Sequence, residues 1–426
     1  MKDTAEKQEK ALLVGVAYGQ QTIAEVEENL EELALLATTA GAEIAGEVVQ
    51  KRTKIHAALY VGKGKAEEIV SMVEMLKVDL IIFDDELSPA QTKNLQKLFE
   101  KARVIDRSSL ILDIFVRHAS SKESKTQVEL AQLQYLLPRL TRAWTHLERQ
   151  RGATSTRGGM GETQIEIDRR LVRNRISMLK LDLKKIETQR DTRRKQRDEM
   201  FKVALVGYTN AGKSSLMNLF SDADVLVEDK LFATLDTTVR KIKIQDHDIL
   251  LSDTVGFIHK LPHHLVASFK STLQEVRIAD LILIVIDLSD SQYEKHLRTV
   301  NEVLMDLGVL EAQTLVVFNK IDLVKDQDAL AEAIREHTDS IPVSALRQIN
   351  IQQLEEKILE VRQSDFVVET LKLDHSQQKF LAFLHRSTEV LNIDYEPEHI
   401  LVEVRVKMGA LEQIRKQSTM DLPPNA

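Results

Sequence analysis

At 426 residues the chain is long enough for two to four domains. Hydrophobic residues at 43% and charged residues at 29% exclude a wholly disordered chain, and the lack of cysteine excludes disulfide scaffolds, thiolate nucleophiles, iron–sulfur clusters and cysteine-ligated zinc. The net charge of −8, from 58 Lys and Arg against 66 Asp and Glu, argues against general nucleic-acid affinity, DNA included, although local charge can depart from the total.

In chain order, residues 11–18 (ALLVGVAY) read as a strand and 25–39 as a helix. A helix over 66–76 follows a Gly62-Lys63-Gly64-Lys65 surface turn, then a buried strand over 79–85 (DLIIFDD). Ser88-Pro89 reads as a helix start, with the cap serine before a proline in the first turn. Alternation of this kind predicts a small parallel α/β domain over 1–125. From Thr126 the apolar spacing becomes helical, and Pro138 should kink or end that segment. A glycine-rich stretch, 151–163, precedes a long segment, 166–199, without Gly or Pro. Ile167, Leu171, Ile176, Leu179, Leu183 and Ile186 predict one apolar stripe along it, hence an antiparallel helical pair over 126–199. From 168 to 199 there are twelve Lys and Arg against six Asp and Glu, a local +6 in an acidic protein. Residues 200–364 alternate strands and helices again, and 365–426 read as a small α+β domain. The longest apolar run, 281–286 (LILIVI), is far short of the ~20 residues of a membrane span. The polar N-terminus lacks a secretion core, so a cytoplasmic location is the expectation.

Gly207-Tyr208-Thr209-Asn210-Ala211-Gly212-Lys213-Ser214 fits G-x-x-x-x-G-K-[ST] between a strand and a helix. In that context backbone N–H groups wrap phosphates, Lys213 reaches the β- and γ-phosphates, and the Ser214 hydroxyl meets Mg²⁺. Asp253-Thr254-Val255-Gly256 lies 46 residues on, after an apolar run. There Asp253 can hold the metal's hydration shell, and Gly256 can bring its N–H to a γ-phosphate. Asn319-Lys320-Ile321-Asp322 follows another buried run: the Asp322 carboxylate suits the two donors on guanine's Watson–Crick edge, and Asn319 would tie this loop to the phosphate loop. The Lys320 stem would lie over the base. Ser344-Ala345-Leu346 could offer backbone N–H groups to the base oxygen. Between these motifs, residues 231–238 hold the place of a switch segment, with Thr234 favoured as the third metal ligand and Thr237 or Thr238 as alternatives. The order of the motifs predicts an α/β P-loop domain that binds GTP and GDP with Mg²⁺. Lys213, Thr234 and Gly256 are the candidate catalytic residues. Phe257 stands where Ras-type enzymes place a water-orienting glutamine, so slow unaided hydrolysis is expected.

Tyr60-Val61-Gly62-Lys63-Gly64-Lys65, Leu87-Ser88-Pro89-Ala90-Gln91, Val104-Ile105-Asp106-Arg107 and Gly161-Glu162-Thr163-Gln164 followed by Asp168-Arg169-Arg170 together resemble the HflX family of translational GTPases. Phe232-Ala233-Thr234-Leu235-Asp236 and Asp253-Thr254-Val255-Gly256-Phe257-Ile258 resemble its switch regions. The family's glycine-rich loop carries a proline that this chain lacks. What the resemblance implies is a monomeric GTPase that binds the large ribosomal subunit and its rRNA, and splits or rescues ribosomes under stress. Arg157, Arg169, Arg170, Arg173 and Arg175 are its candidate RNA contacts. Two other readings stand beside it: a GTP-dependent switch acting on a protein partner, and an RNA-remodelling accessory.

Overall fold

The computed structural model describes residues 8–140, 160–194, 200–221, 231–232, 235–260, 274–309, 313–364 and 366–407. The expectations for Arg157, the glycine-rich stretch 151–159, Ala233 and Thr234 lie outside them.

The N-terminal part alternates β1 (Lys10–Ala17), α1 (Ile23–Thr39), β2 (Glu43–Lys51), α2 (Lys63–Leu76), β3 (Leu80–Phe83), α3 (Pro89–Leu98), β4 (Arg103–Asp106) and α4 (Arg107–His118). Its four strands are parallel, in the order β2-β1-β3-β4. Beyond Lys10, β1 and β3 are apolar because helices cover both faces of the sheet. Helix α1 begins at a capping box, the Thr22 hydroxyl accepting from Glu25 N–H and the Glu25 carboxylate from Thr22 N–H. Ser88 and Gln91 start α3 in the same way. The Gly62-Lys63-Gly64-Lys65 segment is not a surface turn: Gly62 caps α2, and Lys65 pairs with Glu68 within that helix. Sequence periodicity misses β2, since this edge strand is only partly buried and has no continuous apolar run.

Helices α5 (Lys122–Leu136) and α6 (Met160–Arg194) run antiparallel, and Pro138 sits in a short 3₁₀ turn that ends α5. The Arg169 guanidinium donates to the Leu140 carbonyl at 2.8 Å, and further along Arg175 forms a two-pronged pair with Glu129 at 2.7 and 2.8 Å. The stripe that packs is Val172, Ile176, Leu179 and Leu183 against Leu130, Leu133 and Leu137. Ile167 and Leu171 are 41% and 59% exposed. They point away because five residues from Leu171 to Ile176 turn the helix well past one face, which corrects the single stripe read from sequence.

The next unit comprises β5 (Phe201–Gly207), α7 (Lys213–Phe220), β6 (Thr238–Ile244), β7 (His247–Asp253), α8 (Gln274–Arg277), β8 (Leu281–Asp287), α9 (Tyr293–Asp306), β9 (Gln313–Asn319), α10 (Gln327–Glu336), β10 (Ser340–Pro342) and α11 (Ile351–Ser364). The six strands run β10-β9-β8-β5-β7-β6, all parallel except β6, which is antiparallel to β7. The phosphate-loop, Asp253 and Asn319 motifs thereby leave the carboxyl ends of β5, β7 and β9 on one edge of the sheet, where open α/β sheets bind ligands. The last unit sets α12 (Gln378–Ser387) on an antiparallel sheet of β11 (Phe366–Leu373), β12 (Glu389–Tyr395) and β13 (Ile400–Lys407), with Leu373, Leu384, Val402 and Val404 at its core. Among the described residues no helix is long and apolar enough to cross a membrane.

One apolar cluster crosses between units. Leu30, Leu33, Ile111 and Phe115 of the N-terminal part pack with Phe232, Leu235, Val255 and Ile258 of the segments around β6 and β7. The Phe115 and Phe232 rings meet edge to face at 4.8 Å.

Candidate active site

Strand β5 ends at Gly207, where a Cβ would come within 2.1 Å of the Val285 carbonyl, so only glycine lets β5 and β8 stay paired there. Asn210 and Gly212 take left-handed backbone, with φ of 59° and 91°. A side chain at Gly212 would lie 2.1 Å from the Asn319 amide nitrogen. This turn delivers the chain to the N-terminus of α7, the position at which backbone N–H groups and the helix dipole favour an anion. The Lys213 ammonium is 6% exposed and donates to the carbonyls of Gly207 at 3.2 Å and Tyr208 at 2.7 Å. Burial pulls it down to about 8, opposed by the charge of Asp253.

The Ser214 hydroxyl donates to Asp253 Oδ2 at 2.7 Å. Asp253 is fully buried, its other carboxylate oxygen has no hydrogen-bond partner, and burial pushes it above the usual carboxylate range. A hydroxyl beside a buried, incompletely satisfied carboxylate fits a divalent cation. Thr254 turns its hydroxyl to the Leu205 carbonyl at 2.7 Å and so locks this loop onto β5.

The Asn319 side chain joins three loops. Its amide donates to the Ala211 carbonyl at 2.9 Å and its oxygen accepts the Ala345 N–H at 3.0 Å. The Ser344 N–H goes to the Ile349 carbonyl at 3.2 Å. The amides of Ser344 and Ala345 thus bond within the protein, while Leu346 is 80% exposed. Lys320 is left-handed, with φ of 62°, and leads into the single turn Ile321–Leu323 that carries Asp322.

Phe257 is 2% exposed and packs among Ala204, Val206 and Val276. Its backbone is paired with the phosphate loop: Phe257 N–H donates to Gly207 at 3.0 Å, and Thr209 N–H to Phe257 at 2.8 Å. A Cβ on Gly256 would sit 2.8 Å from Thr209 Cα and 3.0 Å from Lys213 Nζ, so the Gly256 backbone lies against the phosphate loop. A buried phenyl ring cannot orient an attacking water.

The N-terminal part supplies residues that sequence reasoning missed. The Tyr208 hydroxyl bonds to Glu32 of α1 and accepts the His259 N–H at 2.6 Å, and its ring stacks on His296 at 3.8 Å. Lys260 reaches both Asp84 and Asp85 at the end of β3, and the fully buried Arg107 holds Asp84 at 2.8 Å together with Glu32. Asp236 accepts from the amides and hydroxyls of Ser120 and Ser121, before α5. Burial would raise Asp236, but those donors outweigh it and hold the carboxyl below its usual value. The segment carrying Asp236 and the segment from Asp253 to Lys260 are therefore both gripped from outside their own sheet.

Residues 27–116 match a family described as GTP-binding GTPase N-terminal, residues 118–197 its middle region, and residues 202–320 a family described as 50S ribosome-binding GTPase. The GTPase HflX of Magnetococcus marinus is 43% identical over 92% of this chain and 91% of its own length. That of Escherichia coli is 41% identical over 97% and 96%, and that of Flavobacterium psychrophilum 51% identical over 74% and 76%. The chain belongs to the HflX family. It is a GTPase, and HflX relatives align with it through the N-terminal part as well as the nucleotide-binding sheet.

His259 gives this HflX chain a pH dependence. Burial, then the positive charges of Lys295, Arg107 and Lys260, pull its imidazole down to about 4, against Glu32, which raises it. Between about 4 and its ordinary 6.5 the unfolded chain binds the proton and the folded protein does not, so stability falls as pH drops through that window. His259→Gln should flatten this part of the curve in urea unfolding at stepped pH. A curve identical to the parent's would assign the loss to other groups.

Proposed function

We propose that this GTPase acts on the large ribosomal subunit, hydrolysing GTP slowly alone and faster when the subunit orders its switch segments. The observation that carries this reading is the free basic face of α6: Arg170 and Arg173 are exposed to solvent on a helix otherwise braced by α5. Arg169 and Arg175 contribute to that bracing through Leu140 and Glu129, so they act on the helix before they act on RNA. The name of the family matched by residues 202–320 points to the same partner. At the nucleotide, Lys213 and the phosphate-loop amides would hold the phosphates, Asp322 the guanine edge, and Ser214 and Asp253 a Mg²⁺ ion, with Thr234 as a further ligand. The ion supplies charge neutralisation on the phosphate oxygens. With Phe257 buried, the groups that orient water come from elsewhere, which favours a partner-dependent rate.

Co-sedimentation with purified large subunits, using a GTP analogue or GDP, tests the partner. Arg170→Gln with Arg173→Gln preserves helix propensity and should weaken subunit binding. The salt dependence should become shallower by about 0.7–0.9 in log–log slope per lost phosphate contact. An unchanged slope with intact binding would reduce the face to a solvated helix surface. A second reading, docking of a protein partner, draws on Leu171, Met178 and Leu181, which are 56–60% exposed on the side of α6 turned away from α5. It predicts subunit binding that is absent in both nucleotide states.

A further inference from the structure

We infer that Asp287, at the end of β8, is a positioning residue for guanine-nucleotide binding, acting through Lys320. This rests on the base site proposed above. The Lys320 ammonium lies 2.7 Å from Asp287 Oδ2. The other carboxylate oxygen accepts the Ser289 N–H at 3.0 Å and the Ser289 hydroxyl at 2.6 Å, so the carboxylate itself cannot swing. Asp287 and Asn319 are register partners in the β8–β9 ladder, and Leu288 N–H donates to the Asn319 carbonyl at 3.0 Å. The residue that holds the lysine is thereby fastened to the same strand end that presents Asn319, Lys320 and Asp322. Neither side chain is fully exposed, at 18% for Asp287 and 24% for Lys320, so the pair is shielded from solvent more than an ordinary surface ion pair.

The physical consequence concerns the lysine stem. Lys320 begins from a left-handed backbone, which points its side chain away from the course of β9, and a four-carbon stem has much rotamer freedom to lose. Anchoring the ammonium at Asp287 stretches that stem along a fixed line beside the Asp322 turn. A purine ring can then lie against it without ordering it. Immobilising one such side chain costs about 0.5–1.5 kcal/mol, so loss of the anchor should weaken nucleotide binding by about 2–12-fold. The stem meets the face of a base and not its phosphates, so GDP and GTP should lose equally. In turnover the loss should fall on KM rather than kcat, because an interaction equal in ground and transition states alters only binding.

The test measures dissociation of a fluorescent GDP analogue from the full-length chain, with thermal unfolding as a check on folding. Asp287→Asn should release GDP about 2–12-fold faster, and Lys320→Met, which keeps an apolar stem without its charge, should do the same. In the double variant the effects should not add, since both remove one link. Asp287→Glu should recover part of the loss. Ser289→Ala removes the hydroxyl that steadies the carboxylate but leaves the Ser289 N–H on it, and should show a smaller loss than Asp287→Asn. Parental release by Lys320→Met, additive effects in the double variant, or equal loss in Ser289→Ala would each overturn the inference, and Lys320→Met decides it even if Asp287→Asn does not fold. Failure of the base site itself would show differently: Asp322→Asn would then retain guanine affinity, whereas here it loses affinity whatever Asp287 does.

Discussion

Asp322→Asn is expected to lower affinity for GTP and GDP by about a hundredfold or more. The carboxylate would accept from both donors of the guanine Watson–Crick edge, and each hydrogen bond to a charged group contributes about 1.5–3 kcal/mol. The amide loses one of these bonds and the charge that strengthens the other, which costs roughly two to three decades in Kd. The amide turns one acceptor into a donor, which then faces a guanine donor. Xanthine carries an oxygen at that position, so xanthosine nucleotides should gain what guanine loses. The turn bearing Asp322 is held independently of that side chain, by Ile321 N–H on the Val343 carbonyl at 3.3 Å and Val343 N–H on Phe318 at 2.7 Å. The substitution should therefore leave thermal stability near that of the parent. Calorimetric titration with GDP and xanthosine diphosphate reads both arms, and parental GDP affinity would remove Asp322 from the site.

Asp84→Ala should destabilise the folded protein by about 3–5 kcal/mol, the cost of breaking a buried ion pair from one side. Against a total stability of about 5–15 kcal/mol this is a large fraction. Asp84 is 1% exposed and faces two cations, Arg107 and Lys260, which come from different parts of the chain. Arg107 would keep Glu32 and Lys260 would keep Asp85, but two positive charges would then share a site with one carboxylate fewer. Because Lys260 lies two residues beyond the Asp253-to-Ile258 segment, the loss of one of its two carboxylates should also loosen that segment from the N-terminal part. Urea unfolding of the full chain measures the first effect, and hydrogen exchange at residues 256–260 the second. A loss below about 1 kcal/mol would place the pair among weak, solvated ones. Lys260→Met, at a side chain 21% exposed, should cost less than Asp84→Ala.

The convergence of the candidate site's motifs was legible because each motif is local. Gly207 to Ser214, Asp253 to Gly256 and Asn319 to Asp322 each follow a buried apolar run, and a loop after a parallel strand must emerge at the sheet's carboxyl edge. Chain order therefore implied spatial proximity for Lys213, Ser214, Asp253 and Asn319, and the distances among Ser214, Asp253, Asn319 and Ala211 agree with it. The partners of the Ser344 and Ala345 amides were not legible: Asn319 is 26 residues from Ala345, and the Ile349 carbonyl closes a local bridge on Ser344.

By itself, then, the sequence determined the alternation of strands and helices, the parallel sheets and the residue types gathered at the candidate nucleotide site, all of which depend on neighbours a few positions apart. Tertiary structure alone decided the edge strands β2 and β6, whose partial burial gives mixed patterns, and the face of α6 that meets α5. It also decided the grip of the N-terminal part on the site. Glu32 and Tyr208 are 176 residues apart, as are Asp84 and Lys260, and Ser120 and Asp236 are 116 apart. Complementarity of charge across such separations leaves no period in the chain. It exists only once two distant parts of the chain are brought into contact and their buried charges must find partners.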